Sequence, residues 1–343
     1  MSVPAAPIRT VVAGVGYIGS RHAALVHAHP AFELVGVAEP APDRAATATA
    51  FGAPVYPTLA ASLAVAPELV VVAAPNDRHI PLALEALAQG CHVAVEKPLG
   101  LTQASCQALV TAALGADRQV FVVVQNRFTP TAQWLKGLLE GGHLGRILLA
   151  QIGCYWNRDH RYYTPGHWHG TLGYDGGALF TQFSHFIDLL LWLLGDAQVQ
   201  AATVANLHHR GQIEIDDSGT ATFGLAGGGL GALSYTTAVW DRNLESRLLL
   251  LGERGSVVLG GQYFNRIEAC HIEGYTLPTL PEANPPNHYG GYQGSAANHG
   301  HVYDNIYATL RQGGAPACTA TEGLRVTAFI EELYRVAGYP GCL

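Results

Sequence analysis

Taken as apolar and polar positions alone, the first 125 residues alternate between two periods. Short, almost wholly apolar runs at Ile8 to Ala13, Glu33 to Ala38, Leu69 to Ala73, His92 to Val95 and Val120 to Val124 are too short for helices and lack a polar face. That is the pattern of parallel strands buried on both sides. Between them, helical spacing runs on through Ala28, from Pro81 to Gln89 and from Thr102 to Leu114. Strand and helix in repeated succession imply a doubly wound sheet, which binds ligands at the carboxyl ends of its strands.

After Arg127 the period changes. A helix over Thr131 to Glu140 is followed by strand-like runs at Ile147 to Tyr155, Gln198 to Ala205, Ser218 to Phe223, Gly231 to Thr237, Ser246 to Leu251 and Ser256 to Leu259. Strands that succeed one another without helices predict a largely antiparallel sheet. One helix, Gly177 to Leu194, interrupts them and is closed by Gly195; Val302 to Arg311 and Thr321 to Arg335 read as two more. Thr276 to Asn298 reads as a long loop rich in Pro, Gly and Asn, and loops of that length more often serve function than structure. The expected fold class is α/β, with one domain over 1–126 and a second, α+β domain over 127–343.

Composition narrows the function. The chain has 343 residues, 49% of them hydrophobic and 13% charged, which suits two folded domains and excludes disorder. Its net charge of −7 comes without a basic run, so a nucleic-acid partner is not expected. No run of about 18 apolar residues predicts a membrane span, and the N-terminus has no basic flank ahead of an apolar stretch. Six cysteines lie scattered without a C-x-x-C pair, against both a disulfide framework and a structural zinc site. A reducing cytoplasm is the expected compartment.

The chemistry-bearing residues gather at predicted strand ends. Gly14, Gly16 and Gly19, with Tyr17 and Ile18 between, form G-x-G-x-x-G where a strand passes into a helix. The glycines there permit a tight turn, close approach of a pyrophosphate, and close helix–strand packing. Glu39, about twenty residues on at the end of the second strand, can accept hydrogen bonds from ribose hydroxyls and repel a 2′-phosphate, which favours NAD over NADP, although Arg44 nearby could take a phosphate. Three further strand ends carry polar groups expected to line one crevice: Pro75 and Asn76 with His79, then Glu96 and Lys97, then Gln125, Asn126 and Arg127. Lys97 is one of only two lysines, the other being Lys136, in a chain with 19 basic residues. A compact, tunable ammonium beside a reacting hydroxyl is something arginine, with its high pKa and broad fork, does not supply.

In the second half, His185 and Asp188 stand out on the apolar helix, and Thr181, His185 and Asp188 share a face at helical spacing. His185 either takes a proton from a substrate hydroxyl or is a core histidine held by the backbone. Arg158, Arg161, Tyr162, Tyr163 and Trp168 make a cationic and aromatic group suited to a sugar with an anionic substituent, or else a solvated loop with packed rings. The pairs His167/His169 and His299/His301 could bind metal, but no carboxylate or cysteine lies at matching spacing, and no metal is expected. No G-x-S-x-G turn supports nucleophilic catalysis.

Together "GVGYIGSRH" (14–22), "EKP" (96–98), "QNR" (125–127) and the helix from Gly176 to Asp188 resemble the Gfo/Idh/MocA oxidoreductases over essentially the whole chain. Within that family, 158–195, 288–305 and 321–335 look most like the WlbA-type UDP-sugar dehydrogenases, which oxidise the 3-hydroxyl of UDP-N-acetylglucosaminuronic acid. The resemblance implies a Rossmann NAD-binding domain, a C-terminal substrate-binding and oligomerisation domain with a large, mostly antiparallel open sheet, and a homodimer or homotetramer through that sheet. It implies Lys97 and His185 as the catalytic pair, and a peptide bond before Pro98 in the cis form. Cofactor contacts are then expected from the residues named at the strand ends, Asn126 excepted, and substrate contacts from Lys97, Arg161, Tyr163, Trp168, His169, Thr181, Gln182 and His185. Two positions depart from the family pattern: Thr181, where Asp or Asn is common, and His169, where the subfamily has arginine. A 3-ketosugar reductase, an inositol or free-sugar dehydrogenase, and a non-catalytic sensor of NAD and sugar remain the alternative functions.

Overall fold

The computed structural model describes residues 6–289 and 292–339, so Gly290 and Gly291, within the stretch that carries the family resemblance, lie outside the described residues. Contacts divide the chain into two units, one formed by 1–124 with 299–324 and the other by 125–298 with 325–343.

In the first unit the apolar runs become β1 (Ile8–Ala13), β2 (Phe32–Ala38), β4 (Leu69–Val72), β5 (His92–Glu96) and β6 (Val120–Val123), joined by a two-residue strand, β3 (Val55–Tyr56), too short to leave a period in the sequence. All pairs are parallel and the order is β3-β2-β1-β4-β5-β6. The order reverses between β1 and β4, where Ala13 lies beside Val72, so the glycine turn that follows β1 opens at the switch point of the sheet. β4 is buried at every residue, as expected of a strand covered on both faces.

The segment from His299 to Leu324 was expected in the second domain and belongs to the first. The reason is packing at the β6 edge. Val122 donates its N–H to Cys318 O at 3.1 Å, Phe121 bridges Thr319, and Cys318, Ala320 and Leu324 join the apolar core of the parallel sheet. Arg311 adds a two-pronged ion pair to Glu68, with both separations 2.6 Å.

The second unit is built on β7 (Ile147–Tyr155), β8 (Ala197–Ala205), β9 (Ser218–Leu225), β10 (Leu230–Thr236), β11 (Glu245–Gly252), β12 (Gly255–Gly260) and β13 (Arg266–Ile272). Their order is β13-β12-β11-β7-β10-β9-β8, antiparallel except for the central β10/β7 pair. One sheet face alternates buried side chains such as Ile152, Leu248, Leu250 and Tyr235, and Phe183 of the apolar helical segment packs on Tyr235. That segment, Leu172–Leu194, is long and apolar enough to cross a membrane, but 89% of its 18-residue apolar stretch is buried, which is how a core helix behaves. The loop read over Thr276 to Asn298 contains a small hairpin, Pro286–His288 with Gln293–Ala296.

Candidate active site

Each glycine of the first turn has its own reason to be glycine. Gly14 adopts φ +91°, and a Cβ there would lie 2.6 Å from Ala73 O; a Cβ on Gly19 would lie 1.9 Å from Gly14 O. Both positions are closed to any side chain. Gly16 is different: its φ of −63° is ordinary, and the nearest atom to a Cβ would be Arg44 Nη1 at 4.0 Å. The space beside Gly16 is open, at the N-cap of the helix Tyr17–Ala28, which has no side-chain cap for its first N–H groups. The positive end of a helix that no side chain caps and an unobstructed glycine suit a pyrophosphate, so the turn fits NAD. Glu39 is tied to the same turn, its Oε2 accepting the N–H of Val15 at 2.9 Å and its Oε1 that of Ala41 at 3.0 Å.

The peptide bond between Lys97 and Pro98 is cis. Behind this turn His79 is buried, with Nδ1 2.7 Å from Pro98 O and Nε2 2.9 Å from Ala74 O. Both nitrogens of this residue, expected at the cofactor, face backbone carbonyls, so the ring braces the turn that carries Lys97. Burial pulls its pKa below the ordinary histidine value, against the two carbonyls that favour the charged ring.

Glu96 opens a cluster that sequence reasoning did not assemble. Its Oε1 lies 2.9 Å from His22 Nε2 and 3.7 Å from His299 Nε2, while Tyr303 Oη meets His22 Nδ1 at 2.8 Å. Burial pushes the Glu96 carboxyl up, yet the hydrogen bond from His22 and the neighbouring Lys97 outweigh it and hold the pKa at about 2. His299 is pushed down to about 3, chiefly by burial, so it is neutral at pH 7 and its approach to Glu96 is not an ion pair. The donor atoms of His22, Glu96 and His299 lie within 4.8 Å of one another. The His22–Glu96 separation of 2.9 Å is nonetheless a hydrogen-bond length, shorter than the roughly 3.3 Å between two ligands of a tetrahedral ion. We read the three as a hydrogen-bonded cluster. The only sequence signals were His22 three residues past Gly19 and the run "NHGHVY".

In the second unit a 3₁₀ turn, Gln125–Phe128, carries the third expected group. Gln125 Nε2 donates to His185 Nε2 at 3.2 Å, which leaves that ring nitrogen in its lone-pair, proton-accepting form. Arg127, expected at the cofactor, grips Asp188 with Nε to Oδ2 at 2.9 Å and Nη2 to Oδ1 at 2.7 Å, both side chains only 3% exposed. Removing one partner of such a buried pair costs about 3–5 kcal/mol, so the pair anchors the helix Ser184–Leu194 that bears His185. Asn126 holds the small hairpin by accepting a hydrogen bond from Ser295.

The shared face of Thr181, His185 and Asp188 does not form one group. Leu179–Phe183 is a π-helical turn, and within it the Thr181 hydroxyl donates to Asp175, whose other carboxylate oxygen accepts the Gly170 N–H at 2.9 Å. Gly177 starts this segment because φ is +131° and Tyr334 leaves no room for a Cβ. Asp216 then receives the Ala178 N–H at 3.1 Å and the Tyr334 hydroxyl at 2.9 Å.

Among the expected substrate residues, Gln182 and His169 join one cluster, while Arg161 reaches it only through Asn157, at 3.2 Å. Arg161 is clamped by Asp159, with its Nη2 2.6 Å from Oδ2, and reaches Asp241. The buried cation is Arg158, 2% exposed, its guanidinium 4.9 Å from the Trp156 and Tyr292 rings and 5.3 Å from Tyr162. It donates to Gln182 Oε1, Asn157 O, Asn243 Oδ1 and Gln293 O, all neutral acceptors. Gln182 passes a hydrogen bond to Tyr162 Oη at 2.7 Å, and His169 stacks on the Tyr162 ring at 4.2 Å with Trp168 beside it at 4.0 Å. Tyr163 packs edge-on against Tyr162 at 5.0 Å.

Two family models match this chain: one described as an oxidoreductase family with an NAD-binding Rossmann fold, over residues 8–124, and one as a GFO/IDH/MocA C-terminal domain, over residues 132–258. The chain belongs to the Gfo/Idh/MocA oxidoreductase family. Its first unit is therefore an NAD-binding Rossmann domain. Among solved family members, the WlbA dehydrogenase of Bordetella pertussis, in complex with NADH and UDP-GlcNAcA, is 31% identical with a TM-score of 0.86 and 97% of each chain covered. The WlbA dehydrogenase of Chromobacterium violaceum, in complex with the same two ligands, is 29% identical with a TM-score of 0.88, covering 98% of this chain and 95% of that one. An inositol 2-dehydrogenase of Saccharopolyspora erythraea is 32% identical over 204 residues, 57% of this chain and 56% of its own length. The chain spans between 34% and 60% of the length of the curated relatives it matches.

Proposed function

We propose that this protein is an NAD-dependent sugar dehydrogenase that oxidises a secondary hydroxyl, the 3-hydroxyl, of a nucleotide-linked sugar of the UDP-GlcNAcA type. The likeness over nearly the full chain to two dehydrogenases solved with NADH and UDP-GlcNAcA carries this reading. Arg158 supports it: a guanidinium buried among rings and neutral acceptors supplies a positive field that an anionic substrate complements.

In this reading NAD, when bound, takes the hydride from the substrate carbon. Gly14, Gly16, Tyr17, Ile18 and Gly19 hold its pyrophosphate, and Glu39 its ribose. Pro75, Asn76, Glu96 and Gln125 shape the rest of the cofactor site. The substrate hydroxyl takes the place of the Gln125 amide at His185 Nε2, and His185 accepts its proton. Lys97 donates a hydrogen bond to the same oxygen as negative charge grows there, the kind of preorganised contact worth about 2.7–4 kcal/mol for one donor. Tyr163, Trp168, His169, Thr181 and Gln182 contact the sugar, with Arg161 at its rim. His169 lacks the permanent charge of an arginine, which leaves Arg158 as the source of charge for a uronate or diphosphate. The assembly proposed is a homodimer or homotetramer through the open sheet.

The inositol dehydrogenase relative favours a second reading, oxidation of a cyclitol or free sugar by the same pair of residues. Incubation with NAD and a panel of UDP-sugars, free hexoses and inositols, followed by absorbance of the reduced cofactor, separates the two. UDP-GlcNAcA is expected to turn over. Turnover of inositols or hexoses alone makes the second reading the right one, and no turnover of any panel member counts against both.

A further inference from the structure

We propose that His22 and Tyr303 are positioning residues for Lys97, acting through Glu96 as one hydrogen-bonded chain. The proposal rests on the assignment of Lys97 to the reacting oxygen. Tyr303 Oη lies 2.8 Å from His22 Nδ1, His22 Nε2 lies 2.9 Å from Glu96 Oε1, and Glu96 Oε2 accepts the backbone N–H of Lys97 at 3.1 Å. His22, Glu96 and Tyr303 are 0%, 5% and 1% exposed, so no solvent competes for these bonds. They come from three separate segments: the helix that opens at the glycine turn, the end of β5, and the helix His299–Gln312.

One assignment of protons satisfies the whole chain. An ionised carboxylate only accepts, so the imidazole must carry its proton on Nε2 and donate to Oε1. In the tautomer with one ring proton, Nδ1 presents a lone pair, to which the Tyr303 hydroxyl donates. The other groups facing Glu96 are His299, a neutral ring, and Lys97 itself. His22 is therefore the side-chain donor opposing the preference of a buried carboxyl for its neutral form. Were that donor lost, burial would favour protonation of Glu96, and a neutral carboxyl would withdraw the negative charge beside Lys97. By the same electrostatic reciprocity, an ionised Glu96 favours the ammonium form of Lys97.

The composition of the chain provides the test, because Lys97 and Lys136 are its only lysines. Reductive methylation with ¹³C-formaldehyde gives two lysine side-chain signals, and Lys136, bonded to Trp192 O at 2.8 Å, serves as the internal control. The titration midpoint of Lys97 is read in the full-length wild type, His22→Leu, His22→Gln, Tyr303→Phe and Glu96→Gln. It is expected to fall by about half a unit or more in His22→Leu and Glu96→Gln, and by less in Tyr303→Phe. His22→Gln, whose amide can donate to Oε1, should restore it, with Lys136 unmoved throughout. An unchanged Lys97 midpoint in Glu96→Gln and His22→Leu overturns the proposal. Should His22→Leu fail to fold, Glu96→Gln and Tyr303→Phe carry the test, and unmoved midpoints in both overturn it. This readout needs no substrate, so it stands apart from the sugar assignment. Full turnover in Lys97→Ala would instead overturn the role of the lysine and leave the chain of bonds intact.

Discussion

Lys97 and His185 stand out in the sequence as single residues, because each is an unusual choice for its surroundings: a lysine in an arginine-rich chain, and a histidine on an apolar helix. If they act as the proposed pair, replacing either with alanine lowers turnover by about 10²–10⁴-fold while NAD binding persists, since the glycine turn is untouched. Steady-state kinetics beside NAD titration checks this, and near-normal turnover in either variant removes that residue from the chemistry. The partners of other residues were not legible, because tertiary packing chooses among the carboxylates within reach. Arg127 pairs with Asp188 across 61 residues, Thr181 with Asp175 across six, and Arg161 with Asp159 only two residues away, and no periodicity reports any of them. His299 gives a residue-scale prediction about stability. Burial holds its pKa at about 3 against an ordinary 6.5, so the unfolded ring takes up a proton at a pH where the native ring does not. Its contribution is complete above about pH 6.5 and is lost as pH falls toward 3, the sign expected for a depressed folded-state value. Thermal midpoints measured at about pH 7.5 and about pH 5 should drop more for the wild type than for His299→Phe. His79 and His92, whose pKa values are also lowered, act alike in both proteins, so equal drops would mean that His299 does not carry this dependence.

Elements whose period repeats several times were readable, while those shorter than their own repeat were not. Five of the six strands of the parallel sheet appear in the sequence as apolar runs, and the sixth, Val55–Tyr56, is only two residues long. In the second unit the alternation of Arg266–Ile272 was too polar to stand out, and the hairpin at Pro286–His288 lay within turn-forming composition. A helical wheel from Gly177 to Leu194 assumed 3.6 residues per turn throughout, but the π turn at Leu179–Phe183 changes the register before His185. The glycine turn is the element where sequence and structure agree most closely, and it separates two effects. Gly19→Ala drives a Cβ to within 1.9 Å of a backbone oxygen, so this variant should unfold several degrees earlier or not fold. Gly16→Ala meets nothing nearer than 4.0 Å at an ordinary φ, so its thermal midpoint should match the wild type while NAD binding weakens by about tenfold or more. Calorimetric melting and titration together decide it, and a Gly16→Ala protein that binds NAD normally would show that the pyrophosphate lies elsewhere.

At the scale of the whole molecule, the chain order is not the order of its folded units. The N-terminal Rossmann unit takes back 299–324 from the C-terminal end, because the strand-like contact at Cys318 and Thr319 completes the β6 edge. Sequence reasoning missed this, since an edge contact of two residues has no period and the flanking helices read the same in either unit. The seven-stranded sheet bears on the proposed assembly. Register sets Leu149 beside both Leu230 and Leu251, and these three leucines are 36%, 58% and 36% exposed on the face away from Ile152, Leu248 and Leu233. Leucines side by side on an open sheet are costly in water, and the proposed association would cover them. If the sheet joins copies as proposed, the wild type should scatter light as a multiple of 36.3 kDa. Leu149→Lys, which places a charge at the centre of the leucine row, should shift it toward a single chain with its circular dichroism unchanged. A wild type that already runs as one chain, or a lysine variant that keeps its full mass, would put the leucines outside any interface and the assembly on another surface or nowhere.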